Sequence, residues 1–425
     1  MASFVTALQQ PFKSAVDATG HLTVRHRRRL RSILDLEGFE AAARHVLPHA
    51  IHGYVANGAE DETSKGTNRA AFLDYRLIPR VLAGAEARSQ NTTLFGRRYA
   101  APFGIAPMGG AAAVTYDADN VMGRAAAACD IPFVLSGNSI TPMEEVAKHS
   151  PGAWFASYQS ANARAIEGMV ERVAAAGIRV FVLTADVPVG SNRERDARDG
   201  FHQPIRLNRQ IIRDGVLHPG WVASTAARTL LKRGIPRIVN LEHDGGPNLF
   251  SRSAGQIAAH AGLSWDHVGL IRKLWKGPLV VKGILSAPDA RIARDCGVDG
   301  IVVSNHGGRQ LDKAATPLMV LPGIVAEAGG MTVIVDSGYR RGTDVLTALA
   351  LGAHFVLIGR PFLFAAAVAG QAGVLHAIEL LSKEIDRDMA LLGVRHLDEM
   401  GLDRLLKLSH GHPAARTLQD ELRPS

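Results

Sequence analysis

The sequence predicts an α/β protein with a (β/α)8 fold, the TIM barrel, from three observations. Eight short apolar runs recur along the chain, Ala-rich helical stretches separate them, and a polar or glycine-containing turn follows each run. The runs are continuously apolar, as expected of parallel strands buried on both faces. A doubly wound sheet is the alternative, but it seldom needs eight evenly spaced strands. The predicted strands are 103–107, 131–136, 154–158, 180–186, 279–284, 300–305, 332–337 and 355–359.

The segments on either side of the barrel differ in pattern. Residues 1–34 are weakly structured by pattern and carry the basic run 25–29, which we interpret as a solvated arm; targeting or membrane contact is the alternative. Residues 35–395 form the predicted barrel domain, and 396–425 form a C-terminal tail. From 36 to about 59 the pattern predicts a helical segment. Its expected apolar face comprises Phe39, Ala43, Val46 and Leu47.

One interval departs from the rhythm of strand and helix. Helices predicted at 120–129, 287–296 and 343–351 separate the strands, but roughly 90 residues lie between the fourth and fifth strands. We therefore expect an insertion at about 197–265, in the fourth βα loop. Basic and apolar residues alternate there, which is typical either of a segment lying on an anionic membrane or of an active-site lid. Its basic residues are Arg206, Arg209, Arg213, Arg228, Lys232, Arg233 and Arg237, opposed by Asp214.

Composition excludes several classes of protein. The two cysteines, Cys129 and Cys296, stand in no metal-ligand or redox spacing, so neither a metal site nor a disulfide framework is expected, and a reducing compartment is the default. No apolar run approaches the roughly 20 residues of a transmembrane helix. The net charge is +8, but the sequence has no basic stripe interleaved with aromatic residues, so nucleic acid is not an expected partner.

Polar residues follow nearly every predicted strand. In a barrel of this type the carboxyl ends of the strands meet at one rim, where function gathers. These side chains therefore predict a cleft for a polar, anionic ligand. The residues at these strand ends are Met108-Gly109, Ser136, Tyr158, Thr184, Asp186, Lys282, Ser304-Asn305-His306, Asp336-Ser337-Gly338 and Gly359-Arg360.

The ends of the last two strands are typical of a phosphate site. Asp336-Ser337-Gly338-Tyr339-Arg340-Arg341-Gly342 and Gly359-Arg360 combine permissive backbone, exposed N–H groups and guanidinium groups. Phosphate monoesters require main-chain amides and Arg, and barrels often hold phosphate near strands seven and eight.

The segment Ser304-Asn305-His306-Gly307-Gly308-Arg309-Gln310-Leu311-Asp312 resembles the active-site signature of the FMN-dependent L-2-hydroxy-acid dehydrogenases and oxidases. The resemblance extends from about Leu36 to about Leu392 and includes further motifs in the same order. They are Gly58-Ala59-Glu60-Asp61 after Tyr54, Ile105-Ala106-Pro107-Met108-Gly109, Val281-Lys282-Gly283, and Ile358-Gly359-Arg360-Pro361. The sequence has no Gly-x-Gly-x-x-Gly after a first strand, which disfavours a nicotinamide site, and FMN is what the resemblance implies.

The resemblance implies a role for each residue of the site. His306 is the catalytic base, which suits the pKa of an imidazole, and Asp186 orients it. Lys282 stabilises negative charge beside the flavin. Arg309 and Arg193 hold the substrate carboxylate, with Arg195 as a competing choice for Arg193. Tyr54 and Tyr158 donate hydrogen bonds to the substrate, and Tyr158 is counted with the catalytic groups. The cofactor-binding set is Pro107, Met108, Gly109, Ser136, Thr184, Lys282, Ser304, Asp336, Ser337, Gly338, Arg340, Gly359 and Arg360.

Two positions depart from the family pattern. Family members usually have Gln two residues before the strand-three Tyr, where this chain has Ala156, so one flavin hydrogen bond is lost or replaced. The motif after strand one commonly reads Pro-Thr-Ala or Pro-Thr-Gly and here reads Pro107-Met108-Gly109. In the family a small residue there accompanies larger substrates and altered reactivity with oxygen.

The chain most resembles the bacterial mandelate and L-lactate dehydrogenases of this family. The resemblance implies oxidation of a mandelate- or lactate-like acid to the 2-keto acid and transfer of electrons to a quinone or cytochrome. It also implies peripheral contact with the cytoplasmic face of the inner membrane and a homotetramer. A soluble oxidase that produces hydrogen peroxide is the alternative within the family. A non-redox barrel that binds a phosphorylated ligand is the alternative from another class.

Overall fold

A computed structural model describes residues 24–201, 208–241, 246–251, 262–408 and 416–417. The strands, in chain order, are β1 (Tyr75–Leu77), β2 (Thr92–Leu94), β3 (Arg97–Tyr99), β4 (Phe103–Ile105), β5 (Val134–Ser136), β6 (Trp154–Ser157), β7 (Phe181–Thr184), β8 (Leu279–Ile284), β9 (Gly300–Val303), β10 (Thr332–Val335), β11 (Phe355–Ile358), β12 (Leu405–Lys407) and β13 (Arg416–Thr417).

The helices are α1 (Val24–Arg31), α2 (Leu36–Ala43), α3 (His49–Ala56), α4 (Thr63–Ala70), α5 (Ala118–Ala128), α6 (Met143–His149), α7 (Ala163–Ala175), α8 (Glu194–Arg198), α9 (Arg209–Leu217), α10 (Pro219–Trp221), α11 (Arg228–Arg233), α12 (Trp265–Leu274), α13 (Ala287–Asp295), α14 (Pro317–Ala328), α15 (Gly342–Ala350) and α16 (Arg360–Leu392). A π-helical stretch, Val222–Ala227, joins α10 to α11.

Eight parallel strands form the barrel, as the apolar runs predict. The sheet has the order β4-β11-β10-β9-β8-β7-β6-β5, and a parallel bridge between Ile105 and Phe133 joins its two ends. Each strand is followed by helix, and the insertion lies between β7 and β8. The predicted fold is therefore confirmed, and the carboxyl ends of all eight strands open onto one rim.

The barrel is filled by side chains rather than open as a pore. One buried cluster lies inside it and is mostly small and β-branched, while a larger cluster lies between the strands and the surrounding helices. Leu94 and Tyr99 of the β2–β3 hairpin belong to the inner cluster. A packed interior gives the rim a rigid floor. The inner cluster includes Ala106, Val134, Ala156, Val182, Val280, Val302, Ile334 and Leu357.

The N-terminal region differs from the prediction at two points. The helical segment expected over 36–59 is two helices, α2 and α3, because Pro48 precedes α3 and cannot continue a helix from the residues before it. Part of the predicted arm is also ordered. The basic run lies in α1, and Leu30 and Ile33 after it are buried in the main core, at 6% and 5% exposure.

The insertion is anchored to the rim by polar contacts. Trp221 Nε1 donates to the carbonyl of Ala113 at 2.9 Å, and Arg233 pairs with Asp117 and Glu145, each at 2.6 Å. Asp214 is buried and accepts from the N–H of Ala50, in the first turn of α3, at 3.2 Å. The described part of the insertion therefore packs on the barrel, as expected of a lid. Arg206 lies outside the described residues.

Among the described residues one helix, α16, is long and apolar enough to cross a membrane by length and composition, so the expectation that no apolar run approaches this length is wrong. It has 33 residues, and its most apolar window is 72% buried within the protein. The backbone is non-helical at Ala369 and Gly370, so two helical segments meet there. Burial of this extent is typical of a core helix, and α16 packs against α2 and α5 in the barrel's outer layer.

Candidate active site

The side chain that the sequence predicts as base lies next to its predicted carboxylate partner. Nδ1 of His306 lies 2.9 Å from Oδ1 of Asp186, although 120 residues separate them in the chain. His306 follows β9 and Asp186 follows β7, so the barrel brings the two strand ends together. The carboxylate can only accept from a neutral imidazole. Nδ1 therefore carries the proton, and Nε2 is left as the basic atom.

His306 is held in a left-handed turn with Gly307 and Gly308, at φ values of 58°, 67° and 72°. Each N–H of this turn has a side-chain acceptor. The N–H of His306 donates to Ser304 Oγ at 3.0 Å, that of Gly307 to Ser337 Oγ at 3.0 Å, and that of Gly308 to Asn305 Oδ1 at 3.1 Å. A left-handed conformation is strained for a residue with a side chain and persists only where its surroundings fix it.

Lys282, at the end of β8, lies buried between two carboxylates. Its Nζ lies 3.3 Å from Asp336 and 3.6 Å from Asp186, and donates to Ser304 Oγ at 2.7 Å. Burial alone would lower the pKa of Lys282, but the charges of Asp186 and Asp336 outweigh it and hold the pKa above its ordinary value. The ammonium group is therefore a permanent positive charge in the floor of the site.

The charges of the site shift the pKa values of the His306–Asp186 pair. Burial would raise the pKa of Asp186, but the charges of His306 and Lys282 overcome it and lower that pKa to about 2. Burial lowers the pKa of His306 below its ordinary value of 6.5; Lys282 and Arg193 add to the effect, and Asp186 opposes it. The pair consequently consists of a carboxylate and a neutral imidazole at neutral pH, which is the state required of a base.

Arg309 lies over the ring of Tyr54, with its guanidinium carbon 5.2 Å from the ring centroid. Burial, and then the charge of Arg193, lower the pKa of Arg309 to about 10, which leaves it protonated at neutral pH. Nε of Arg193 donates to the main-chain carbonyl of Arg309 at 3.4 Å, and the charge of Arg193 contributes to the lowered pKa of His306. Arg195 instead pairs with Glu62 at 2.7 Å and is exposed. The geometry favours Arg193 over Arg195 as the second cation of the site.

The two predicted tyrosines both lie at this rim. The hydroxyl of Tyr54 donates to the carbonyl of Gly109 at 3.0 Å. Burial raises the pKa of Tyr158, and Lys282, Asp186 and Tyr54 make smaller electrostatic contributions to that pKa. Tyr158 therefore remains a protonated donor at neutral pH.

Sequence reasoning missed several residues that support these groups. Phe201, in the insertion, stacks on Tyr54 with ring centroids 4.4 Å apart. The carbonyl of Asn57 accepts from Arg309 at 2.8 Å and from Arg360 at 3.0 Å, while its side chain donates to Asp196 at 3.1 Å. No local pattern signals such contacts; the position of Asn57 directly before the Gly58-Ala59-Glu60-Asp61 motif is the only clue that the sequence offers.

The predicted phosphate site has cations but fewer free N–H groups than expected. The main-chain N–H groups of Arg340 and Arg341 donate to Asp344 Oδ2 at 2.8 and 3.0 Å. The expectation of exposed N–H groups is therefore wrong at these two positions, because the first turn of α15 supplies its own carboxylate cap. Gly338 remains essential, since its φ is +96° and a Cβ would lie 2.5 Å from the Asn68 carbonyl oxygen.

The described residues fit FMN. Burial lowers the pKa of Arg340. Burial and the charges of Arg309 and Arg340 lower the pKa of Arg360 to about 9. Such shifts are expected of buried cations clustered at an anion-binding site. In the described residues the guanidinium groups of both donate to main-chain carbonyl oxygens rather than to carboxylates. Deeper in the rim, Thr184 Oγ1 is buried and has no hydrogen-bond partner within the described part of the chain.

The other predicted flavin-contacting residues line the same rim. Pro107, Met108 and Gly109 follow β4 and are half-buried; Ser136 ends β5, and Ser304 directly follows β9. Gly359 lies against Met108, whose Sδ would be 3.4 Å from a Cβ at Gly359. Ala156 is fully buried inside the barrel one position before the end of β6, so it leaves the polar layer of the rim without the amide that the family usually has there.

A barrel with a neutral histidine base, a buried lysine and cations placed for a phosphate at one rim is the architecture of a flavin-dependent oxidoreductase. Residues 43–407 match the FMN-dependent dehydrogenase family, and the chain belongs to that family. It is therefore an enzyme, an FMN-dependent dehydrogenase, as the sequence motifs imply.

The relatives within the family are similar over most of their length. The chain is 35% identical to (S)-mandelate dehydrogenase of Pseudomonas putida over 88% of this chain and 94% of that protein. It is 36% identical to L-lactate dehydrogenase of Pectobacterium atrosepticum, covering 87% and 96%.

Two solved structures support the same grouping. The monotopic membrane protein (S)-mandelate dehydrogenase superposes with a TM-score of 0.80 at 34% identity, covering 89% of this chain and 100% of that one. Mandelate oxidase with (S)-2-phenylpropionate superposes with a TM-score of 0.72 at 35% identity, covering 88% and 98%.

Proposed function

We propose that this enzyme oxidises a small L-2-hydroxy acid, mandelate- or lactate-like, to the corresponding 2-keto acid. The observation that carries the proposal is the neutral His306, held by Asp186, beside the cationic pair Arg309 and Arg193. A 2-hydroxy acid presents a carboxylate next to a hydroxyl, and this arrangement offers a partner for each. Overall the substrate loses two protons and two electrons, and bound FMN supplies the acceptor for the electrons.

The residues divide the work of binding and proton removal. Arg309 and Arg193 bind the carboxylate, for which planar guanidinium groups are suited. Tyr54 and Tyr158 donate hydrogen bonds to the carboxylate or hydroxyl. His306 Nε2 then removes the hydroxyl proton, and Asp186 stabilises the imidazolium that forms. Lys282 supplies positive charge where negative charge develops as the substrate's electrons leave it.

The relatives support this substrate class. Those that resemble the chain over almost their whole length are named for (S)-mandelate and L-lactate, which differ only in the substituent on C2. The same clamp and base serve both acids. Membership of an FMN-dependent dehydrogenase family speaks against the non-redox alternative.

The electron acceptor is proposed to be a quinone or cytochrome, with oxygen as the second candidate. The dehydrogenase names of the relatives favour the first, and the likeness to mandelate oxidase favours the second. After anaerobic reduction by substrate, readmitted air distinguishes them. Reoxidation by a quinone analogue much faster than by air supports the dehydrogenase, and fast reoxidation by air with formation of peroxide supports the oxidase.

The enzyme is proposed to be a homotetramer. Its insertion is proposed to contact an anionic membrane, at the cytoplasmic face of the inner membrane. Leu231, Leu230 and Ile235 are 84%, 51% and 61% exposed, and exposed basic residues lie among them. Exposed apolar groups beside basic ones suit an anionic lipid surface. The relative described as a monotopic membrane protein supports this reading.

Sedimentation with vesicles tests the membrane contact. Leu231→Gln and Ile235→Gln should weaken binding to anionic vesicles, while Leu391→Gln, which changes a 66% exposed leucine on α16, should not. Equal binding of all variants, or no binding at all by the unaltered protein, contradicts the proposal.

An anaerobic visible spectrum tests the reaction itself. The purified holoenzyme is mixed with L-lactate or L-mandelate, with the D-enantiomers as controls. We expect the flavin band at about 450 nm, a general flavin property, to bleach with at least one L-acid and with neither D-acid. A protein that holds FMN but is bleached by no 2-hydroxy acid contradicts the proposed substrate class.

A further inference from the structure

Asn138, in the loop after β5, lies at the mouth of the site beside a pair of glycines. A Cβ at Gly109 would come within 2.9 Å of the Asn138 Cβ, and the N–H of Gly110 donates to the Asn138 carbonyl at 3.1 Å. Tyr54 contacts the same pair, because its hydroxyl donates to the Gly109 carbonyl and would lie 2.8 Å from a Cβ at Gly110. Asn138 and Tyr54 therefore both border Gly109 and Gly110.

The residue before Asn138 adjoins the second tyrosine of the site. A Cβ at Gly137 would lie 3.2 Å from Cδ2 of Tyr158, and the N–H of Gly137 donates to the carbonyl of Ala156 at 2.7 Å. Asn138 therefore lies beside Gly109 and Gly110, which Tyr54 also contacts. It directly follows Gly137, which lies against Tyr158. Both tyrosines belong to the proposed substrate site.

The side-chain amide of Asn138 has no evident structural task. The main-chain N–H of Asn138 donates to Ser136 Oγ at 3.2 Å, and its carbonyl accepts from Gly110. Over the described part of the chain, its half-buried amide makes no hydrogen bond. The main chain thus fixes the loop, and a polar group that is partly removed from water is left available for a ligand.

We propose that Asn138 determines specificity by hydrogen bonding the side chain of the substrate. The inference rests on the proposed function: Arg309 and Arg193 engage the carboxylate and His306 the hydroxyl, which leaves the substituent on C2 to meet the wall formed by Gly109 and Asn138. Gly109 gives this substituent room, and the amide both donates and accepts. The preferred substrate class is therefore an L-2-hydroxy acid with a neutral hydrogen-bonding group, such as a hydroxyl, next to C2.

A pair of isosteric substrates tests the proposal. L-glycerate and L-2-hydroxybutyrate differ only in a hydroxyl or a methyl group on the carbon next to C2. Anaerobic stopped-flow measurements give the rate of flavin reduction and the dissociation constant for each acid. In Asn138→Leu, which replaces the amide by an apolar group of similar size, the glycerate-to-hydroxybutyrate ratio of rate over dissociation constant should fall about five- to tenfold, as expected for one hydrogen bond. An unchanged ratio overturns the inference.

Two further variants and one inhibitor separate specificity from damage to the loop. Asn138→Ala should lower the ratio as well, whereas Asn91→Leu, which alters an exposed amide bonded to Ser89, should leave it unchanged. Oxalate has carboxylates but no side chain, so its binding, followed by the perturbed flavin spectrum without turnover, should be the same in the wild type and both Asn138 variants. Loss of oxalate binding in both Asn138 variants overturns the inference in favour of a structural role. If neither acid, nor lactate or mandelate, reduces the wild-type flavin, the proposed function itself fails.

Discussion

Oδ1 of Asp186 lies 2.9 Å from Nδ1 of His306, and this contact joins the proposed base to the charged floor of the site. The other oxygen of Asp186 accepts no hydrogen bond among the described residues but lies 3.6 Å from Nζ of Lys282. One carboxylate thus orients the imidazole and partly balances the lysine. Changing Asp186 should therefore affect both groups.

Asp186→Asn removes the charge but retains the shape of the side chain. We expect the rate of flavin reduction by substrate to fall about 10²- to 10⁴-fold, because the imidazolium is no longer stabilised and Nδ1–H loses its anionic acceptor. Stopped-flow reduction at saturating substrate measures the effect. A rate within a few-fold of the wild type would show that His306 needs no carboxylate.

The lowered pKa of His306 sets the pH dependence of the reaction. The base must be neutral, so the rate of reduction over the dissociation constant should rise with pH through a pKa below the ordinary 6.5 and stay level above it. Because Asp186 raises the pKa of His306, the shoulder should move to still lower pH in Asp186→Asn. A shoulder above 6.5 in the wild type would contradict the burial of a neutral imidazole.

The assignment of Arg193 rather than Arg195 to the clamp can be tested with matched variants. In Arg193→Met the dissociation constant of substrate should rise about 10- to 100-fold, since a hydrogen bond to a charged group contributes about 1.5–3 kcal/mol. Arg195→Met removes an exposed guanidinium that pairs with Glu62 and should leave binding unchanged. The reverse order of effects would exchange the two assignments.

Ser337 combines strain with two hydrogen bonds. Its φ is +78°, and its Oγ accepts from the N–H of Gly307 and donates to Asp336 at 2.7 Å. Ser337→Ala keeps the strain and loses both bonds, whereas Ser337→Gly loses the bonds and relieves the strain. The glycine variant should therefore be more stable than the alanine variant by about 1 kcal/mol, measured by denaturant unfolding of the holoenzyme. Equal stabilities would mean that the turn relaxes when the side chain is removed.

The barrel was predictable because its strands are continuously apolar. The predicted strand at 279–284 coincides with β8, and the run 131–136 ends at the same residue as β5. The other six runs end one or two residues beyond the observed strands, where the chain has left the sheet but continues along the rim. Burial on both faces leaves a strong local signal in the sequence. At residues 36–59, by contrast, the apolar spacing continued across Pro48, and the proline rather than the spacing decided the structure.

The site was predictable where a motif marks it and not where tertiary contacts make it. Residues 304–312 identify His306 and Arg309 directly. The stacking of Phe201 on Tyr54 joins residues 147 positions apart, and the approach of Asn138 to Gly109 depends on two neighbouring strand ends. Such contacts follow from packing and leave no periodicity to detect. Conversely, the capping of α15 by Asp344 removed N–H groups that the motif had suggested were free.

The most direct test of the account compares His306→Gln with the wild type at equal FMN content. Glutamine can still donate a hydrogen bond to Asp186 but cannot remove the hydroxyl proton at neutral pH. We predict that flavin reduction by the L-2-hydroxy acid slows at least about 100-fold while oxalate still binds, since the arginine clamp is intact. Reduction at nearly the wild-type rate in His306→Gln would contradict the assignment of His306 as the base, and with it the mechanism proposed for this site.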